Sequence, residues 1–507
     1  MARLRNREDI KVQGHRGTHP AYWTLSHRWG DPNSIPQLRK TTEGRFRDGI
    51  SLKELSPTFR DAVLLVHRLG YEYIWIDCLC VFQDSLADWQ TEANSMVDVY
   101  RHSFCNISAT GASYDPSNTG LLGERRLSPR LLYPFTTNVN IGTGDTEKTR
   151  PGPWMLRNES VWADEVERAP ISSRGWVVQE RFLATRILHF TQNQIYWECL
   201  ESSHAVTEPT RNISTGQRGT SMATGYKKAR LELARTRATL ATTGQPYSDP
   251  NSLHSAHSYH AQWGTIVGIY VGCVLTKESD RFLAMSGIAK AFREVSGDEY
   301  LAGLWKRMLY TDLLWRSQAR EGVHARRSTE LYAPSWSWAS VVGGNVQLGV
   351  PQNKFGSLPT PLIRLVEARV VPEPPDGDPM GLLRSAELEI ECMRYYYRWD
   401  GRQNVFAVFR DEARTDCYFT KAGSDLGSNL SLDTSELVER FAAADEVDGM
   451  CVPIYGAYGG YGGGTNEYLM LEHDSGCRFK RIGLLRAGEI GKWISDWSGN
   501  CSRITLI

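Results

Sequence analysis

The chain has 507 residues, of which 41% are hydrophobic and 23% charged, a soluble globular composition too long for one ordinary core, so two or three domains are expected. Lysine plus arginine equals aspartate plus glutamate at 58 each, and this balance gives no support to a nucleic-acid or anionic-membrane partner, both of which select a basic surface. No run approaches the roughly 20 apolar residues of a membrane-spanning helix.

Met1 to Gly17 is polar and basic, with no apolar stretch of signal length. The ten cysteines form no CxxC, and the closest pair is Cys78 and Cys80. That spacing points to no zinc site and no disulfide framework, and a reducing cytoplasmic setting is expected. No cofactor is implied. Sixteen tryptophans are heavy for this length, and most are expected in cores.

Ala21 to Ser26 reads as a short strand, ending at the turn-like Trp29-Gly30-Asp31-Pro32. Ser56 then caps a helix with Pro57 in its first turn, carrying a stripe of Phe59, Ala62, Val63, Val66 and Leu69 that Gly70 ends. Tyr73 to Ile76 is a strand apolar on both faces. A second helix presents Trp89, Ala93, Met96, Val97 and Tyr100, and Phe104 to Ala109 is the next strand. Strand, helix, strand, helix, strand predicts a parallel sheet covered on both sides. Ligands gather outside the carboxyl ends of such strands. Those ends carry Ser26, His27, Arg28 and Trp29 after one strand, and Asp77, Cys80, Gln83 and Asp84 after the next. The competing reading is that these side chains satisfy loop backbone.

From Gly120 to Pro170 loops are expected, then a helix over Arg174 to Leu188 and strands over Ile187 to Thr191 and Ile195 to Cys199. A polar stretch from Ser202 to about Tyr259 reads as a partly mobile insertion with a basic patch at Lys227 to Arg237. Its His254, His257 and His260 are expected to be solvated, since no carboxylate or thiol joins them. Residues 260 to 317 look helical, with stripes through Trp263, Val267 and Val271, through Phe282, Met285, Ile288 and Phe292, and through Leu301, Leu304, Met308 and Leu313. Beyond Ala333 the chain turns β-rich, over Ser335 to Val341, Glu387 to Tyr397, Gln403 to Phe409, Tyr468 to Glu472 and Phe479 to Leu484. The glycine run Gly456 to Gly464 is not followed by the lysine-serine or lysine-threonine pair of a phosphate cradle.

Several blocks in order resemble the fungal heterokaryon-incompatibility (HET) domain: Tyr22 to Gly30 (YWTLSHRWG), Ser56 to Gly70 (SPTFRDAVLLVHRLG), Tyr73 to Tyr100 (YIWIDCLCVFQDSLADWQTEANSMVDVY), Arg174 to Arg181 (RGWVVQER) and Ile195 to Cys199 (IYWEC). Leu275 to Ala289, Tyr300 to Trp305 and Ala333 to Ser340 resemble segments that trail that domain. Cys78 departs from it, standing where serine is usual. So do Phe82, where an aliphatic residue is common, and Ser85, where an acid is frequent. The resemblance implies non-self recognition and programmed cell death in filamentous fungi. It also leaves open a secondary-metabolite enzyme acting on a small natural product, or a non-catalytic, self-associating module. The implied partners are a small-molecule or nucleotide substrate, a second copy, or another incompatibility protein.

The HET domain is in turn similar to Toll/interleukin-1 receptor (TIR) domains, through Leu25 to Asp31 (LSHRWGD) and Ile171 to Leu183 (ISSRGWVVQERFL). In TIR enzymes the corresponding glutamate serves cleavage between nicotinamide and ribose in NAD. That resemblance implies Glu180 as the catalytic carboxylate, with Trp176 one helical turn away as a flat face for a ring. Arg174 or Arg28 would hold the pyrophosphate, and Ser26, His27, Trp29, Gln83 and Gln179 would line the ligand. Asp77 and Asp84 are read as an acid/base pair or a magnesium site, or else as loop caps. Cys80 is a nucleophile candidate if His27 lies beside it. The architecture expected is a TIR-like, flavodoxin-like parallel α/β domain over 1–200, a polar insertion over 201–260, a helical region over 261–332 and a β-rich region over 333–507.

Overall fold

The structure is a computed structural model. It describes residues 1–4, 9–13, 20–29, 31, 35–111, 120–123, 132–141, 148–157, 160–206, 209, 222–243, 253–320, 322–330, 332–349, 361–403, 405–409, 417–421, 430–455, 466–487 and 501–507. Gly30, Pro32, the run Gly456 to Gly464, and the side chains of His254, His257 and Lys227 lie outside the described residues. The chain divides into two compact units, Met1–Leu231 and Glu232–Ile507.

The first unit is built on β1 (Ala2–Leu4), β2 (Asp9–Val12), β3 (Tyr22–Ser26), α1 (Glu43–Asp48), β4 (Ile50–Ser51), α2 (Pro57–Arg68), β5 (Tyr73–Trp75), α3 (Asp77–Cys80), α4 (Leu86–Arg101), β6 (Cys105–Ser108), β7 (Leu132–Ile141), β8 (Lys148–Arg157), α5 (Gly175–Leu183), β9 (Arg186–Phe190), β10 (Ile195–Cys199) and β11 (Ser203–Ala205). Nine of these strands form one sheet in the order β11-β10-β9-β6-β3-β5-β1-β2-β4. The expected parallel sheet is confined to its centre, where β5, β3, β6 and β9 run parallel. Both flanks are antiparallel. The whole is therefore a mixed α/β sheet with a parallel core.

The local reasons are those the residues supply. Ser56 Oγ accepts from the Phe59 N–H at 3.3 Å, with Pro57 in the first turn of α2. The stripe on α2 is buried through Phe59, Ala62, Val63 and Val66, but Leu69 is 49% exposed. It sits at the C-cap, where the helix ends and Gly70 adopts φ +85°. Trp23, Leu25, Ile74 and Ile107 are buried in one cluster with that stripe. From β3 the chain crosses over α2 to β5 on one side, then over α4 to β6 on the other. Strand order thus reverses at β3, the arrangement that opens a crevice at the carboxyl ends of such strands.

Three local expectations are corrected. The stretch 120–170 contains the paired strands β7 and β8 as well as loops. The helix expected over Arg174 to Leu188 stops at Leu183, because Arg186 already begins β9 and pairs across to Cys199. The polar stretch after Ser202 contains a helix over Met222–Thr243 and the first part of another over Leu253–Val271.

In the second unit the helices Leu253–Val271 and Leu283–Ser296 carry the first two expected stripes on buried faces. The third stripe is buried but not one helix. Leu301 and Leu304 sit in a tight strand pair, and Met308 and Leu313 lie in and beside single-turn helices. His260 is corrected as well. It is buried, with Nε2 2.5 Å from Asp312 Oδ1, a carboxylate that is remote in sequence. The β-rich region forms a ten-stranded sheet whose pairings are antiparallel save one. Over Ser335 to Val341, however, the chain forms a 3-10 turn at Trp338–Ser340, and its short strand begins only at Val341.

Candidate functional site

The carboxyl ends of β3 and β5 and the helix α5 meet around one carboxylate. Thr24, Ser26 and Asn106 share a face of the parallel core, because residues two apart in a strand point the same way and β3 pairs in register with β6. Asn106 Nδ2 donates to Ser26 Oγ at 3.0 Å, and its Oδ1 accepts from Thr24 Oγ1 at 3.0 Å. The Ser26 hydroxyl, 3.4 Å from Asn106 Oδ1 as well, serves Glu180, against which the Tyr100 hydroxyl of α4 also lies. Glu180 is 6% exposed, and its Oε2 has no hydrogen-bond partner among the described residues. Burial pushes this carboxyl up to about 7, against the pull of Arg174 and the Ser26 hydroxyl and with a further push from Asp77. Burial, with Glu180 second, drives the Tyr100 phenol well above its usual range, so it stays a hydroxyl.

A second layer surrounds Asp77, the first residue of α3. Its Oδ2 accepts from Trp29 Nε1 at 2.7 Å and its Oδ1 from the Cys78 N–H at 2.7 Å. His27 Nε2 lies 3.7 Å from Oδ1. Burial lowers the His27 imidazole below its usual range, so the ring is neutral, and its outer edge packs on Phe59. Arg174 Nη1 donates to the His27 carbonyl, tying the residue before α5 to the end of β3. The ligand atoms of His27, Asp77 and Cys78 all lie within 4.8 Å of one another.

Of the residues singled out from sequence, Ser26, His27, Trp29, Asp77, Arg174 and Glu180 are brought together. Trp176 is half-buried on the same helix and meets Trp89 of α4 edge to face at 6.1 Å. Gln179 is buried and Arg28 exposed. Asp84 is exposed, and both its oxygens accept from the Lys40 N–H at 3.1 Å, a loop cap. Gln83 likewise holds loop backbone, donating to the Val81 and Asp77 carbonyls. Cys80 lines a different feature, a pocket of about 410 Å³ walled by Leu38, Phe46, Trp75, Phe82 and Val99. The thiol grouped with His27 is that of Cys78.

Two participants escaped the sequence reading. Tyr100 was one more member of an apolar stripe; a hydroxyl at the end of that stripe was the available signal. Asn106, a lone amide in the strand FCNISA, was the other, since a polar side chain in a doubly covered strand must find a partner.

The fold and site define an α/β domain with polar groups gathered where strand order reverses. Residues 22–180 match the family model described as Heterokaryon incompatibility protein (HET), so the resemblance seen in the ordered blocks holds over that span. No curated protein and no solved structure matches the chain.

Proposed function

We propose that this chain is a HET-type incompatibility and cell-death factor of fungi whose HET segment cleaves the nicotinamide–ribose bond of NAD. The observation that carries the reading is Glu180: a buried carboxylate with an oxygen unpartnered among the described residues, poised near neutral pH at the carboxyl ends of the sheet. A group kept unsatisfied and hard to ionise is costly to the fold, and such groups cluster at working sites. The likeness of Ile171 to Leu183 to the TIR glutamate segment adds to it.

In this reaction the bond between ribose C1′ and the nicotinamide nitrogen breaks, and the electron pair leaves with nicotinamide. The oxocarbenium-like ribose left behind is stabilised by ionised Glu180, which also orients the ribose hydroxyls. Water adds to C1′ and releases a proton, giving ADP-ribose and nicotinamide. Ser26 and Tyr100 steer the carboxylate, Trp29 offers a flat half-exposed ring, and Arg174 holds the pyrophosphate. Purified chain incubated with NAD is expected to release nicotinamide, and Glu180→Gln to slow that release by about 10²–10³-fold, the usual effect of removing one group that stabilises transition-state charge. Release that survives the substitution unchanged would discard Glu180.

A second reading draws on the pocket of about 410 Å³ beside Cys80, within the size range of small-molecule sites. There the chain would be a biosynthetic enzyme recruited to a small natural product. A gene deletion that accumulates a biosynthetic intermediate, with no change in incompatibility, favours it. Toxicity on overexpression in a fungal host, lost with Glu180→Gln, favours the first.

A further inference from the structure

We propose that His27, Asp77 and Cys78 form a binding site for a divalent metal ion of the zinc class, a function that does not depend on NAD cleavage. Their nitrogen, oxygen and sulfur ligand atoms lie within 4.8 Å of one another. Ligands at about 2.0–2.3 Å from a tetrahedral centre stand roughly 3.3–3.8 Å apart, and the His27–Asp77 pair at 3.7 Å is already there. The Cys78 thiol, within 4.8 Å of both, would have to close on that pair as the ion binds.

The second observation is the orphaned ring nitrogen. His27 is 5% exposed, its ring bonds the Leu25 carbonyl, and Nε2 has no hydrogen-bond partner among the described residues. The bond to Leu25 therefore belongs to Nδ1, which must carry the proton. Nε2 faces Asp77 Oδ1 at 3.7 Å. A buried ring nitrogen without a partner among the described residues, aimed at a half-exposed carboxylate oxygen, forms a place a cation can occupy.

The surroundings match those of metal ligands. A ligating histidine donates its other N–H to a backbone carbonyl or carboxylate, and a ligating carboxylate is itself hydrogen-bonded. Here Nδ1 serves the Leu25 carbonyl, while Trp29 Nε1 and the Cys78 N–H hold Asp77. Charge also balances. Burial, then the neighbouring Asp77 carboxylate, holds the free Cys78 thiol well above its usual range, so its proton leaves only as the ion takes its place; one thiolate and one carboxylate then offset a divalent charge and a neutral imidazole adds nothing. Mixed nitrogen, oxygen and thiolate donors select zinc or cobalt over magnesium or calcium. Three protein ligands leave a fourth position for water or a ligand.

The test uses the full chain, stripped with a chelator and titrated with cobalt(II) as a spectroscopic stand-in. One equivalent should bind and produce tetrahedral visible bands with a sulfur-to-cobalt charge-transfer band. Cys78→Ser should abolish the charge-transfer band, while Cys80→Ser leaves it intact. Serine is the usual residue at position 78 in the domain this segment resembles, so the fold should tolerate it. As a second variant, Trp29→Phe should weaken binding by roughly 10–100-fold through loss of support to Asp77. No stoichiometric binding by the wild-type chain, or a charge-transfer band that persists in Cys78→Ser, overturns the proposal. Either result leaves nicotinamide release by Glu180 to be judged on its own assay.

Discussion

Glu180 is a residue whose burial weakens the fold wherever its carboxyl is ionised. Its folded carboxyl titrates near 7 against an ordinary 4.5, mainly because it is buried. A group raised in this way contributes stability fully below pH 4.5 and loses it as pH rises through about 7. At about 1.4 kcal/mol per pH unit, the loss amounts to about 3 kcal/mol. Glu180→Gln, which removes the charge and keeps the shape, should therefore raise stability at pH 8 by up to about 3 kcal/mol and do nothing near pH 4. Urea unfolding at the two pH values measures this; equal effects at both would remove the buried-charge account. If the ionised form serves cleavage, nicotinamide release should climb with pH and level off above about 7, a profile read from initial rates across pH 5–9. Gain of stability with loss of activity is the mark of a working residue.

Elements obey their own local signals, and α2 is the clearest. Its N-terminus is held by Ser56 and its C-terminus by Gly70 at φ +85°. Ser56→Ala should cost about 1 kcal/mol through the lost cap. Gly70→Ala should cost a similar amount through left-handed backbone strain. Leu69→Gln should be close to neutral despite its place in the apolar stripe, because the side chain is 49% exposed. Chemical denaturation of the three variants ranks them, and a large loss for Leu69→Gln would contradict the burial. The α2, α4, β3, β5 and β6 segments were legible because each carries its period within a dozen residues. The end of α5 was not. Val177, Val178, Phe182 and Leu183 suit a helix that could have run on to Leu188, and it is the pairing of β9 with β10 and β6 that stops it.

At the scale of the molecule, each unit holds charge in its interior. In the first, Glu198 is bonded by Arg181, His189 and Arg230, all within 3.0 Å and all shielded. Burial alone would raise the Glu198 carboxyl, but Arg181, Arg230 and His189 outweigh it and hold it well below the usual range. A depressed carboxyl contributes stability above about pH 4.5 and loses it as pH falls through its folded value. Glu198→Gln leaves Arg230 buried without a counter-charge, so it should cost roughly 3–5 kcal/mol at pH 7 and progressively less in acid. Thermal melts from pH 3 to 7 test this, and a pH-independent cost would mean the carboxylate charge is not what matters. In the second unit, Arg481 and Asp433 form a comparable pair, with the guanidinium 3.6 Å from the Trp315 ring.

By itself the sequence determined what local period and short motifs can carry: the alternating strands and helices of 21–109, the likeness of 22–180 to the HET family, Ser26, His27 and Asp77 as polar residues at strand ends, and Glu180 through its resemblance to the TIR glutamate. Only the tertiary structure decided which of them meet. Asp84 turns to the Lys40 backbone while Asp77 faces His27, Cys78 rather than Cys80 joins that pair, Tyr100 brings its hydroxyl to Glu180, and His260 finds Asp312 52 residues away. The reason is physical. A helix or strand is specified by neighbours a few residues apart, whereas a buried polar group is satisfied by whatever the crossovers bring beside it, and no local pattern encodes that partner.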